Sequence, residues 1–245
     1  MSSFKELGFL SDQMQECKAS AQFQYESTFS EAINLCRESM TQLQALPLGE
    51  IESGHLMGRS FWWRCMENCQ AAIILSDLGM TTSATSPARA AWEYLFYACA
   101  LWLDPHLEPK VKQKDMFEAG KLLDEIDKHA PHGLTDLKRD DLDKIRPQQK
   151  ITDRGLSAFD AAKKADLLDL YTVAYRGLSL YGAHSTGVSA LRALPASIQG
   201  GHDFRIAPEF NGTHYLLENI KMCLMTGMKR FRELTVALNS QSASP

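Results

Sequence analysis

Several signals are missing from this sequence, and each absence removes a class of protein. No Pro/Gly/Ser-rich linker divides the 245 residues, so one domain over 1–245 is the simplest organisation. No basic stretch followed by an apolar one opens the chain at Met-Ser-Ser-Phe-Lys-Glu, so no secretory signal is expected and the expected compartment is the cytoplasm. The most apolar stretch, 88–103, contains Arg89 and Glu93 and is too short and too charged for a membrane span. There is no Gly-rich dinucleotide fingerprint, no P-loop and no alternation of strand and helix patterns to host one. A Gly-x-Ser-x-Gly nucleophile elbow is also missing.

Metal-ligand spacings are equally scarce. Cys65 and Cys69 lie one helical turn apart, but no third ligand follows at a local spacing, and His129 and His132 straddle Pro131. No metal and no cofactor is therefore assigned. The formal net charge of -4 provides no broad attraction for nucleic acid or anionic lipid. The six cysteines, Cys17, Cys36, Cys65, Cys69, Cys99 and Cys223, fall mostly at apolar helical positions, which suits reduced core residues rather than a disulfide framework.

What is present is helical periodicity over a chain that is 44% hydrophobic and 23% charged. Phe29, Ile33, Cys36, Met40 and Leu43 step by four and three and predict a helix over 22–45. A second is expected over 52–78, with Gly79 as its stop, and a third over 87–103, with Ser86 as N-cap and Pro87 at the first helical position. A fourth, surface helix runs from Pro109 to His129, with Met116, Leu123 and Ile126 on one face. Residues 157–181 form a fifth, seamed by Leu167, Leu170, Ala174 and Leu178. The stripe Leu217, Ile220, Leu224, Gly227, Phe231, Leu234 and Leu238 marks the last. Two long loops, 130–155 and 195–212, interrupt the series, the second holding a tiny strand at Phe204-Arg-Ile-Ala. The fold class is all-α: a single-domain bundle of about six helices, loosely ordered at 1–20 and 239–245.

The candidate functional residues are charges and hydroxyls set into apolar helices. Arg89 and Glu93 are the only charges between Pro87 and Leu103 and, four apart, share a face. Either they pair to fix helix register, or Arg89 lines a pocket for a phosphate or carboxylate and Glu93 orients it. Tyr171, Tyr175 and Ser179 follow the same spacing, and His184 is the nearby group able to exchange a proton near neutral pH. Arg59 has no acidic neighbour one turn away and could reach across to the Glu93 pocket or simply lie in solvent.

The order of an Arg-bearing helix ending at Gly79, then Ala-Arg89-Ala-Ala-Trp-Glu93, then Tyr175-Arg-Gly-Leu-Ser179 ahead of His184, resembles the uncharacterised bacterial helical proteins of domain of unknown function family 5677. The likeness spans roughly 55–235 and implies an all-helical fold with an Arg-x-x-x-Glu helix facing a Ser/His helix, but no activity. A fainter likeness is to HEPN ribonucleases, dimerising helical bundles that cleave RNA with an Arg and a His four to six residues apart. Arg176 and His184 would fill those catalytic roles, and phage defence or toxicity would follow only with the catalysis. Seven residues separate them, which on a regular helix means roughly 12 Å along the axis and about 80° around it.

The leading expectation is a binding module whose inter-helix pocket, built from Arg59, Arg89, Glu93, Tyr175, Ser179 and His184, takes a small anionic ligand or a protein partner. The alternative is a metal-independent ribonuclease acting on RNA through His184, with Arg176 or Arg89 steadying the phosphate. The stripe on the last helix allows a homodimer, although burial in the chain's own core explains it equally.

Overall fold

The computed structural model describes residues 2–45, 52–129, 152–183 and 208–242. Among them the chain forms α1 (Phe4–Leu7), α2 (Met14–Gln24), α3 (Glu26–Ala45), α4 (Ser53–Asp77), α5 (Thr81–Leu103), α6 (Glu108–His129), α7 (Ala158–Lys164), the composite helix α8 (168–183) and α9 (Thr213–Ser242). The all-α class follows directly; the described residues contain a single isolated bridge, Met80 to Glu209, and no strand. No helix among them is long and apolar enough to cross a membrane.

The centre is the α4–α5 hairpin. Gly79 takes a left-handed conformation (φ 69°), and the turn closes when Gly79 N–H donates to Ser76 O at 3.0 Å and Met80 N–H donates to Leu75 O at 2.9 Å. This pair of bonds is a Schellman stop, and glycine supplies the positive φ without strain. The helices then run antiparallel. Gly58 lies under the Trp102 ring, Phe61 stacks on Tyr97 and Trp62 meets Trp102 edge-on.

α5 is apolar on nearly every side because four helices pack on it, α4, α7, α8 and α9. Trp62, Trp92, Phe96 and Phe231 are fully buried there. The α9 stripe is used by this core. Leu217, Ile220, Leu224, Phe231 and Leu234 are buried, and Gly227 sits where a Cβ would fall 2.1 Å from Trp62 Cζ3.

Four sequence expectations are revised. α5 begins at Thr81, six residues before Pro87, so Ser86 is not its N-cap and Pro87 lies inside the helix. The start is set by tertiary contact rather than by local capping: Thr81 Oγ1 donates to Glu209 O at 2.6 Å, and Glu209 N–H donates to Gly79 O at 2.8 Å. The expected helix over 22–45 divides at Tyr25 into α2 and α3. Residues 2–20 of the stretch expected to be loose do not stay irregular: Glu6 accepts from Ser3 N–H at 2.7 Å across the first turn, and Lys18 pairs with Asp77 at 3.1 Å, tying α2 to the end of α4. Residues 157–181 form two helices, because Asp166 turns to φ 55° between α7 and α8. Of the expected loops, 130–151 and 195–207, with the Phe204 strand, lie outside the described residues.

Candidate functional site

α8 carries π turns at Tyr171–Tyr175 and Ser179–Ala183, joined by the α turn Arg176–Leu178. A π turn widens the helix and is found often beside functional residues. Here it directs Tyr175 and Ser179 at α5. Arg89 Nε donates to Ser179 Oγ at 2.9 Å, Arg89 Nη2 donates to Tyr175 Oη, and the guanidinium lies 4.4 Å above the Tyr175 ring. Tyr175 Oη in turn donates to Glu93 Oε2 at 3.1 Å, and Arg89 Nη1 reaches the same oxygen at 3.4 Å. Ser179 Oγ donates to Tyr175 O at 2.9 Å. Every hydroxyl therefore both accepts and donates, which is what a partly buried polar network requires.

The network continues to α6. Lys114 Nζ stands 3.7 Å from Glu93 Oε1 and donates to Tyr97 Oη at 2.6 Å, while Tyr97 Oη donates to Leu156 O at 2.8 Å. Burial, with the Glu93 carboxylate adding to it, raises the Tyr97 phenol well above its usual range. The same two causes push Tyr175 up to about 12, against an opposing pull from Arg89. Both phenols stay protonated near neutral pH and act as donors.

Beside this network lies a cavity of about 280 Å³ between α4, α5 and α6. Its walls are Phe61, Tyr94 and Tyr97, with Ala90 and Val111 between them, and its polar groups are Glu93, Lys114 and Asp115. Phe61 is 6.0 Å from Tyr94 and 5.4 Å from Tyr97 between ring centroids, so the aromatic wall is continuous. A second cavity, of about 210 Å³, opens where Thr81, Thr85, Tyr181 and Tyr215 meet.

Of the residues singled out by sequence, Arg89, Glu93, Tyr175 and Ser179 converge. Arg59 does not join them: its Nη2 donates to Leu43 O at 2.9 Å, where it satisfies a carbonyl of the last turn of α3. Arg176 is exposed on α8. His184 lies outside the described residues, and with it the proposed Arg176/His184 catalytic pair. Sequence reasoning missed Lys114, Tyr97 and the aromatic cavity. Lys114 is one of several lysines on a charged helix, and nothing local sets it apart. The Phe61-Trp62-Trp63 cluster was visible, but not that Phe61, of the three, would line the cavity beside α5 and α6.

The structure also supplies the third sulfur that local spacing lacks. Cys223 on α9 meets Cys65 and Cys69 on α4, with all three Sγ atoms within 4.8 Å of one another and Cys65 Sγ 3.6 Å from Cys223 Sγ. All three are buried. Burial pushes the Cys65 and Cys223 thiols up, whereas the S–H groups of Cys223 and Cys65 directed at Cys69 lower that thiol.

A family model described as a family of unknown function (DUF5677) matches residues 55–196, a span that takes in every side chain of the α5–α6–α8 network and its cavity. No curated protein and no solved structure matches the chain.

Proposed function

Because the chain belongs to the family of unknown function DUF5677, whose membership brings no activity with it, we propose from the site's geometry that this is a binding module for a small aromatic carboxylate. The observation that carries this reading is the cavity of about 280 Å³, which has an aromatic wall and the Lys114 ammonium at its edge. Ligand pockets combine a mostly apolar lining with a few placed polar groups, and their volumes start at about 300 Å³. A single ring with one charged substituent suits the space.

The charges at the site are balanced: Arg89 and Lys114 are two cations against the carboxylates of Glu93 and Asp115, so the choice of ligand rests on which donor has a bond to offer. Arg89 is not that donor, since its guanidinium is engaged by Ser179, Tyr175 and Glu93. Lys114 is. Of its three N–H donors, one goes to Tyr97 and one points loosely at Glu93, so the third can meet a carboxylate oxygen. Arg89 then acts as a positioning residue that holds Glu93 and fixes α8 against α5.

The test is titration calorimetry on the purified protein with benzoate, benzamide and benzylamine, which share a ring and differ in charge. Benzoate binds preferentially, and Lys114→Gln weakens it about tenfold or more, the loss expected for one hydrogen bond to a charged group. Equal affinity for the three compounds, or unchanged benzoate binding by a folded Lys114→Gln protein, defeats the proposal.

A further inference from the structure

We propose that Cys65, Cys69 and Cys223 form a binding site for one Cu(I) ion. A buried cysteine standing alone behaves as a small apolar residue and needs no other account. These three stand together, in a seam between two long helices where none of them is more than 1% exposed. α4 presents Cys65 and Cys69 one turn apart on one face, and α9 brings Cys223 against them.

The spacing suits a metal. Three sulfurs arranged in a plane at about 2.3 Å from a central ion stand about 4.0 Å from one another. The observed Cys65–Cys223 separation is 3.6 Å, and no pair exceeds 4.8 Å, so shifts of a few tenths of an ångström complete the arrangement. Thiolate ligands select soft cations, Cu(I) and Zn(II) among them. Coordination number separates these two. A structural zinc site takes four ligands, and among the described residues no fourth cysteine, histidine or carboxylate joins the trio. Cu(I) is satisfied by three sulfurs.

The balance is simple. Cu(I) held by two thiolates and one neutral thiol displaces two protons to solvent and leaves one net negative charge, with no change of oxidation state at copper or sulfur. The apolar surroundings, a core that also holds Trp62 and Phe231, keep water and its dissolved ligands away from the three sulfurs. No residue of the trio lines the cavity assigned above to the carboxylate, so the two proposals stand or fall separately.

The experiment is an anaerobic titration of the fully reduced, metal-free protein with Cu(I) in competition with a chromophoric Cu(I) chelator, alongside a Zn(II) titration. The expected result is one Cu(I) retained per chain, and copper-edge X-ray absorption of the unmodified protein showing three sulfur neighbours and no nitrogen or oxygen. Cys65→Ser, Cys69→Ser and Cys223→Ser each lower Cu(I) affinity tenfold or more, whereas Cys36→Ser and Cys99→Ser, which change buried cysteines outside the trio, do not. The proposal is overturned if the chelator strips all copper, if Zn(II) binds in preference, if nitrogen or oxygen appears in the copper shell, or if the outer cysteine variants lose as much affinity as the inner ones. The absorption measurement needs no variant, so a serine substitution that prevents folding leaves the test intact.

Discussion

Gly227→Ala is the sharpest probe of how α9 is seated. Its added methyl would lie 2.1 Å from Trp62 Cζ3 and 2.2 Å from Cη2. Carbon atoms pack at about 3.5–4.0 Å, so the indole or the α9 backbone must move by more than an ångström. Trp62 has nowhere easy to go, since it is fully buried and meets Trp102 edge-on. Overpacking of this kind costs about 1–3 kcal/mol, occasionally more. Against it stands the helix-propensity gain of alanine over glycine, about 1 kcal/mol. Given how little room the ring has, the overpacking cost falls toward the upper end, and the net is a loss of about 1–2 kcal/mol. For a chain of this size that lowers Tm by about 2–8 °C. Thermal unfolding followed by circular dichroism reads the effect, and Trp62→Phe in the same background should restore part of it, a coupling visible only as a double-mutant cycle. A Tm that rises by 2–4 °C, as propensity alone gives, would refute the close packing of α9 on α4. It would also remove the basis for placing Cys223, one turn before Gly227, against Cys65.

Two further outcomes concern the polar network. Arg89→Lys is not conservative, because an ammonium cannot bond Ser179, Tyr175 and Glu93 together; a loss of about 1–3 kcal/mol in urea unfolding is expected, and a loss below 0.5 kcal/mol would mean the guanidinium fixes nothing. Tyr175 has a folded pKa raised to about 12 from the usual 10, so the unfolded chain releases its proton first and stability falls as pH climbs from about 10 to about 12. Tyr175→Phe removes that share of the decline, and identical alkaline unfolding profiles for the two proteins would contradict it.

The parts of the fold legible in the sequence were those governed by local rules. Gly79 was readable as a stop because a positive φ after a helix is a glycine property, and the α9 stripe was readable because one core covers it along most of its length. Ser86-Pro87 was misleading for an instructive reason. The pair satisfies the local grammar of a helix start, yet Thr81 and Met80 are held by Glu209, more than a hundred residues away, and that contact carries the helix a further turn and a half back. The site divides in the same manner. Arg89 and Glu93 stood out as charges in an apolar helix, and Tyr175 with Ser179 stood out by spacing. Lys114, Tyr97 and Cys223 carry no local signal, because each acquires its meaning from a partner on another helix.

The location of the network explains why α5 tolerates charges in its interior. A partly buried ion pair is seldom more stabilising than an apolar pair of the same volume. Arg89 and Glu93 keep side-chain exposures of 24% and 29%, which moderates the desolvation cost without removing it. What the pair adds is direction. Arg89 binds two residues on α8, and Glu93 faces Lys114 on α6, so one turn of α5 sets the position of a helix on either side. An apolar pair would hold α6 and α8 close but would not fix their register. The aromatic cavity opens at that turn, where Glu93 and Lys114 belong both to the network and to the cavity wall. A carboxylate bound to Lys114 would compete with Glu93 for the ammonium. Binding would then be felt by Arg89 and, through Tyr175, by the π turns of α8.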